Sequence, residues 1–436
     1  MKKLKYHFIG VGGVSMSALA SILKSQGNYV SGSDIHNSSL LEKLAISGIV
    51  IYLSHNEKNV EGADVVVYNS AISQDNVELV RAKELGLPLV SRAELLKKVS
   101  EKYKHVIAIS GAHGKTTTTA MITETFLLAG LNPTAHLGGV LKSHNSNFIL
   151  GKDEFFITEA CEYKDNFLSL TPNVGVILNV EAEHLDYFKT FENVCRSFES
   201  FASNSKVVVA NDKLDISIEN PIRFGDCGYR AKNIVPIKRG RFKFDCYYEN
   251  KKLFSVKMNV IGRYNITNAL ACIAVCKHYK IKNKIIKKAL EGFQGVKRRF
   301  ECKNKRPFVV HDYAHHPSEI KSVISATRGF VKGRLIVAFQ PHTYSRTKAL
   351  MHEFLDAFDL CDELYIIKTY SAREKTIKGG TAKDLFNNLT KKMKNVEYFS
   401  NFDCCYNYIS DNIKKNDTLL ILGAGDIEEL ANRFES

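Results

Sequence analysis

No apolar run in this 436-residue chain approaches the roughly 18 residues that a helix needs to cross a bilayer. A transmembrane helix is therefore not expected. The N-terminus, Met1-Lys2-Lys3-Leu4-Lys5, is basic, but Tyr6–Gly13 is too short and too glycine-rich to serve as the core of a signal peptide. The expected compartment is the cytoplasm, with no membrane partner. The ten cysteines contain no Cys-x-x-Cys pair; Cys272 and Cys276 fall at helical i, i+4 spacing, and Cys404 and Cys405 are adjacent. A disulfide framework does not suit that pattern at this length, and buried free thiols are expected. Internal repeats and low-complexity tracts are missing as well.

Charge of one sign is in excess. Lys and Arg number 61 against 46 Asp and Glu, a formal net charge of +15. Such a balance suits anionic partners, either nucleic acid or nucleotide substrates. The basic residues are scattered instead of forming one stripe, and no RNA-binding motif is present, so nucleic acid is not expected. Hydrophobic residues at 44% and charged residues at 25% are ordinary for a globular protein, and the length suffices for two to four domains.

Strand-like and helix-like stretches alternate from the start. Tyr6–Gly10, Tyr29–Gly32, Val65–Tyr68 and Leu87–Val90 read as strands, with helical periodicity over Ser15–Lys24 and Val77–Glu84. That alternation predicts a parallel, doubly wound sheet. The polar stretch Ser100–Lys104 reads as a linker. Beyond it, His105–Ser110, Glu154–Thr158, Gly175–Asn179 and Lys206–Ala210 are strand candidates, and Thr116–Ala129 and Thr267–His278 are helices. Lys238–Val260 suits a β-ribbon. A second boundary is expected near Gly295-Val296-Lys297, followed by strands at Phe308–His311, Arg334–Gln340, Glu363–Ile367 and Thr418–Gly423. The economical reading is three α/β domains, spanning residues 1–103, 104–296 and 297–436.

Two glycine loops carry chemistry. Gly10-Val11-Gly12-Gly13-Val14-Ser15-Met16 follows a strand and opens a helix, where glycines let the backbone approach a pyrophosphate and the helix start favours negative charge. Asp34, about 20 residues on, could hold a ribose hydroxyl. The dinucleotide fingerprint is incomplete, since its third glycine would fall at Ser15. A nicotinamide-type dinucleotide and another diphosphate, such as a UDP-sugar, fit equally.

The second loop, Ser110-Gly111-Ala112-His113-Gly114-Lys115-Thr116-Thr117, has the same strand–turn–helix setting. Its backbone amides would cradle phosphates, Lys115 would neutralise the β- and γ-phosphates of ATP, and Thr116 would bind Mg²⁺. The strict P-loop glycine is replaced by Ile109, so the loop is a shortened one. Magnesium also needs hard oxygen ligands. Glu159 at a strand end, Glu162 a helical turn on, and His184 at the end of another strand are the candidates.

Together these segments resemble the Mur ligase family. The resemblance spans nearly the whole chain, in family order: His7–Ser17, Gly111–Thr119, Glu159-Ala160-Cys161-Glu162 and Glu183-His184-Leu185-Asp186. Then follow Gly262–Ala269, Val296–Phe300, His311–Pro317, Gln340–Thr347 and Gly423–Asp426. It implies a Rossmann-like N-terminal domain that binds the UDP substrate, a P-loop-type central ATPase and a Rossmann-like C-terminal domain that binds an amino acid. It also implies a reaction. The carboxylate of UDP-N-acetylmuramate attacks the γ-phosphate of ATP, and the amine of L-alanine displaces phosphate from the acyl phosphate. ATP and Mg²⁺ are the implied cofactors, and a monomer or weak homodimer is expected.

Carried over by position, Lys115, His184, Arg298, His342 and Arg346 are the expected catalytic set. Gly111, Ala112, His113, Gly114, Lys115, Thr116 and Thr117 would hold the phosphates. Asn265, Asn268, Arg298 and Asp312 would complete the nucleotide site. Thr116, Glu159 and His184 would hold metal. Gly12, Gly13, Ser15, Met16, Asp34 and Ser70 would meet the UDP-sugar. Asp312, Tyr313, His315 and His316 would line the cleft, with His316 among the substrate contacts, and His342, Tyr344 and Arg346 would sit near the amino acid, with Arg346 forking onto its carboxylate. The chain departs from the family at Cys161 and Tyr163, where Asp and Ser are frequent, at Glu183 and His311, where Asp is frequent, and at Thr343, where Arg is frequent. His311, His315, His316 and His342 could suggest zinc, but phosphoryl chemistry on Mg²⁺ argues against it.

Three other readings stand beside this one. A family member that adds a preformed peptide to the same sugar nucleotide shares most of these motifs. A dinucleotide oxidoreductase built on Gly10–Ser15 leaves Gly114-Lys115-Thr116 unexplained. A non-enzymatic NTP-binding or RNA-binding protein accounts for the charge alone.

Overall fold

The computed structural model describes residues 3–372 and 374–435, apart from the side chains of Ser39 and Asp186. Met1 and Lys2 of the basic N-terminal run lie outside the described residues. The described residues form three sheets in sequence order.

The first sheet has five parallel strands, β1 Lys5–Ile9, β2 Tyr29–Ser33, β3 Val50–Tyr52, β4 Val65–Tyr68 and β5 Leu89–Ser91, in the order β3-β2-β1-β4-β5. The order reverses between β1 and β4. In a doubly wound sheet, ligands bind outside the strand ends at such a switch point, and the Gly10–Met16 loop leaves β1 there.

The second sheet has ten strands: β6 His105–Ser110, β7 Thr134–Leu141, β8 Ser146–Ile149, β9 Phe155–Glu159, β10 Val174–Ile177, β11 Val207–Asn211, β12 Ile222–Gly225, β13 Tyr229–Ile237, β14 Arg241–Tyr248 and β15 Lys251–Lys257. Their order is β15-β14-β13-β12-β11-β10-β6-β9-β7-β8. The phosphate-loop strand β6 is central, flanked in parallel by β9 and β10. This arrangement brings the C-terminal ends of β6 and β9, and with them Gly111 and Glu159, to one edge.

The third sheet has β16 Glu301–Lys305, β17 Phe308–Asp312, β18 Leu335–Phe339, β19 Glu363–Ile367, β20 Val396–Phe399 and β21 Thr418–Leu422, in the order β16-β17-β21-β18-β19-β20. Only β16 runs antiparallel to its neighbour. Alternate residues feed two cores. Val310, Val337, Phe339, Leu420 and Leu422 face one, and Val309, Ile336, Ala338, Leu419 and Ile421 face the other. Burial on both faces is why these strands read as continuous apolar runs.

By contacts the chain divides into two compact units. One comprises Met1–Asn233, Phe244–Val256 and Thr267–Gln294; the other comprises Ile234–Lys243, Lys257–Ile266 and Gly295–Ser436. The first two sheets share a unit because a single apolar cluster runs from Phe8 and Met16 through Leu95 and Tyr103 to Phe156 and Phe167. The stretch expected as a linker is thus packed. Ser100 ends the helix Arg92–Ser100, and the Tyr103 ring lies 5.0 Å from that of Phe156.

One helix in the first unit buries several hydroxyls. In Lys115–Leu128, Thr119, Thr123 and Thr125 each donate to the carbonyl four residues back, at 2.7–2.8 Å. These bonds satisfy groups that would otherwise be costly to bury. No helix of the described residues is long and apolar enough to cross a membrane.

Candidate active site

In the first unit the two glycine loops have their conformations built in. Gly114 has φ +86° at the start of Lys115–Leu128, and Gly111 has φ +137°. A Cβ at Gly111 would sit 3.0–3.1 Å from Leu178 and the Asn179 backbone, and one at Gly114 would strike Asn268 Oδ1 at 2.5 Å. Asn268 is thereby set against the loop. Asn179 latches it from the other side: its Oδ1 accepts from His113 N at 2.8 Å, and its Nδ2 donates to His113 O at 3.0 Å. Asn179 was legible in the sequence only as a strand end.

Lys115 Nζ donates to the carbonyls of Gly111 and Ala112 and to both oxygens of Glu162, at 3.2 and 3.1 Å. Burial alone would lower the lysine's pKa, but the Glu162 carboxylate outweighs it and holds the pKa above the ordinary value. The ammonium is therefore charged. Thr116 Oγ1 donates to Glu159 Oε2 at 3.1 Å, and the other Glu159 oxygen accepts from Gly138 N.

His184 differs from its expected place. It does not end a strand, since β10 stops at Ile177; it lies in the following loop with φ +56°, opening the short helix Leu185–Phe188. That loop turns its Nε2 to within 3.8 Å of Glu162 Oε1. Glu162, expected a helical turn beyond Glu159, immediately precedes the 3-10 segment Tyr163–Ser169. The expected metal trio is therefore divided. Thr116 and Glu159 pair with each other, while His184 joins Glu162 and Glu183, whose ligand atoms with His184 all lie within 4.8 Å of one another. A hydroxyl, three carboxylates and one imidazole in the segments that follow β6, β9 and β10 suit a hard divalent cation.

Around the first loop, Asp34 Oδ2 accepts from Gly12 N at 3.0 Å, and a Cβ on Gly12 would meet that oxygen at 2.8 Å. Asp34, only 8% exposed, thus braces the loop itself. Gly13 caps the helix Val14–Ser25 without a side chain, and Met16 is buried inside it. Ser15 is bound by Arg92 at 3.2 Å. Arg92 and Ser70 line one cavity of about 270 Å³ with Asn69, Ser91, Lys164 and Asn166. The sequence did not single out Arg92, whose only signal is its place just after β5. Lys164 enters that wall from a left-handed conformation, φ +54°.

The second unit gathers a separate set. Arg298 sits at φ +60° and donates to the carbonyls of Gly423 and Gly425 at 3.1 and 3.0 Å, with its guanidinium 4.8 Å from the centre of the Tyr313 ring. Asp312 accepts from the amides of Phe300 and Ala314 at 2.7 and 2.8 Å, yet burial pushes its pKa up to about 6. His315 and His342 have ring centres 5.7 Å apart. Burial lowers both to about 4, with Arg346 adding to the effect, so both rings are neutral near pH 7. Arg346 NH1 lies 3.1 Å from His342 Nδ1.

Tyr344 opens the helix carrying Arg346, after Thr343 at φ +69°. His316 caps the helix Pro317–Arg328 in a capping box with Glu319. Asn265 donates to Ile261 O at 2.7 Å, one helical turn before Asn268 on the helix Tyr264–His278. His311 is buried, and both of its ring nitrogens lack a hydrogen-bond partner among the described residues. Among the described residues His311, His315, His316 and His342 form no group that could hold a metal, whereas Glu162, Glu183 and His184 do.

Three family models match the chain in order. Residues 5–104 match the Mur ligase family catalytic domain, 109–276 the Mur ligase middle domain and 298–425 the Mur ligase glutamate ligase domain. The UDP-N-acetylmuramate–L-alanine ligase of Caldanaerobacter subterraneus is 42% identical, covering 99% of this chain and 97% of the relative. The crystal structure of the UDP-N-acetylmuramate-alanine ligase of Thermotoga maritima superposes with a TM-score of 0.86 at 28% identity, over 99% of this chain and 98% of that one. A murein peptide ligase from Psychrobacter arcticus shares the fold, with a TM-score of 0.74 at 21% identity over 99% and 98% of the two chains.

Proposed function

The chain belongs to the Mur ligase family, and we propose that it joins L-alanine to UDP-N-acetylmuramate with cleavage of ATP, in peptidoglycan precursor synthesis. The observation that carries this reading is the cluster in the segments that follow β6, β9 and β10. A charged Lys115, the Thr116–Glu159 pair and the Glu162–Glu183–His184 group surround one phosphate loop.

The chemistry follows from those groups. Lys115 exchanges its carbonyl partners for the β- and γ-phosphate oxygens of ATP, and the backbone of Gly111–Thr117 wraps the phosphates. Thr116, Glu159 and His184, joined by Glu162 and Glu183, would hold Mg²⁺, which would offset charge on the transferring phosphoryl group. Asn265 and Asn268 meet the adenine side. Gly12, Gly13, Ser15, Met16, Asp34 and Ser70 take the UDP-sugar, with Arg92 in the same wall.

The muramyl carboxylate attacks the γ-phosphorus, ADP leaves, and the acyl phosphate forms. Arg298 and Asp312 serve the nucleotide from the third domain. His342 and Arg346, with Tyr344 and His316, receive L-alanine, whose amine displaces phosphate from the carbonyl carbon. The domains are 1–103, 104–296 and 297–436, and the protein works in the cytoplasm as a monomer or weak homodimer, without nucleic acid.

The amine is the part of this reading most open to test. With ATP, Mg²⁺ and UDP-N-acetylmuramate present, phosphate release should require L-alanine and should exceed that with glycine, L-serine or a tripeptide. Release with the tripeptide alone would reassign the chain to peptide addition.

A further inference from the structure

Ser15 stands where a dinucleotide fingerprint has its third glycine, and its hydroxyl is engaged on two sides. Arg92 NH1 donates to Ser15 Oγ at 3.2 Å, and Ser15 Oγ lies 2.9 Å from His136 Nε2. Across the ring, His136 Nδ1 lies 3.0 Å from Thr158 Oγ1, and Thr158 Oγ1 donates to the Glu159 carbonyl at 3.0 Å. His136 is 2% exposed on β7. The same strand supplies Gly138, whose amide donates to the Glu159 carboxylate.

The direction of this relay is fixed by its last member. A carbonyl only accepts, so the Thr158 hydrogen goes to the Glu159 carbonyl and Thr158 accepts from His136 Nδ1–H. Burial, with the nearby Arg92 charge, lowers the histidine to about 4, so the ring is neutral. With Nδ1 carrying the ring's one hydrogen, Nε2 accepts from Ser15 Oγ, which itself accepts from Arg92. A buried histidine bound at both nitrogens is ordinarily a satisfied core residue. Here its two partners are the start of the first glycine-loop helix and the residue next to Glu159.

We propose that His136 is a positioning residue that couples the sugar-nucleotide loop to the metal-bearing end of β9. The inference rests on the function proposed above. Holding Ser15 in place orients the ring, the ring holds Thr158, and Thr158 and Gly138 fix both ends of Glu159. A sugar nucleotide that orders the Ser15 helix start therefore tightens the nucleotide site, and the effect is reciprocal.

The test measures ADP–Mg²⁺ affinity by calorimetry, without and with saturating UDP-N-acetylmuramate. Wild-type protein should show an affinity change of roughly 5- to 150-fold. In His136→Gln and Thr158→Val that factor should fall close to one, while affinity for each ligand alone stays within about threefold, the scale of one surface-level contact. Thr158→Val keeps the side-chain shape and carries the test if His136→Gln does not fold. Coupling that persists in a folded relay variant overturns the proposal and leaves the ligase reading intact. Wild-type protein that binds both ligands independently also overturns it. Wild-type protein that binds neither ligand removes the ligase reading and the proposal together.

Discussion

The Lys115 ammonium lies 3.1 Å from Glu162 Oε2, and that carboxylate is 2% exposed. A buried pair of this kind contributes little net stability, because desolvation opposes the attraction. Its value is a lysine held charged beside the phosphate loop. Lys115→Ala should therefore lower turnover by at least ~100-fold, the usual loss for one preorganised electrostatic contact, while circular dichroism shows an unchanged fold. Near-normal phosphate release from that variant would mean that ATP binds elsewhere.

Asp34 braces Gly12 through a 3.0 Å bond to its amide. Asp34→Asn weakens the charged acceptor with little change in shape. The KM for UDP-N-acetylmuramate should rise about tenfold with kcat changed far less, as for lost ground-state binding. An equal fall in kcat and kcat/KM would place Asp34 in the reaction itself.

Arg346 is held beside His342 by a 3.1 Å contact. A lysine there supplies charge without the planar fork. Arg346→Lys should raise the KM for L-alanine by about tenfold or more, the size of one lost charge-assisted bond, and leave the KM for ATP unchanged. A rise in the KM for ATP alone would assign the arginine to the nucleotide.

The neutral histidines set a pH dependence. His315 and His342 have folded pKa values near 4, against an ordinary 6.5. Each binds its proton more weakly in the folded state than in the unfolded one. Their contribution to stability is thus complete above pH 6.5 and is lost as pH falls toward 4. Denaturant midpoints measured across that window should decline with acid in the wild type and decline less in His342→Gln. Equal slopes would show that His342 titrates alike in both states.

The interior strands were legible because burial on both faces demands apolar runs. Leu335–Phe339 and Thr418–Leu422 needed no other signal. Two of the strands that escaped notice lack that signature. Val50–Tyr52 has only three residues, and Glu301–Lys305 reads Glu-Cys-Lys-Asn-Lys at a sheet edge. In the site, residues within one motif were found by spacing. Residues that meet through the fold were not: His136 reaches Ser15 across 121 positions, and Asn179 reaches His113 across 66. His184 was identified but misplaced, since no pattern in the sequence shows a left-handed residue in a loop seven positions beyond its strand.

The central claim is that a muramyl carboxylate is activated by phosphoryl transfer at the Lys115 loop. UDP-N-acetylmuramate labelled with ¹⁸O in both carboxylate oxygens tests it directly, with ATP, Mg²⁺ and L-alanine present. Attack on the γ-phosphorus makes one carboxylate oxygen the bridge of the acyl phosphate, and displacement by the amine sends that oxygen out with phosphate. The account predicts one ¹⁸O in each phosphate released and one retained in the new amide. Unlabelled phosphate, or no phosphate at all, would contradict it.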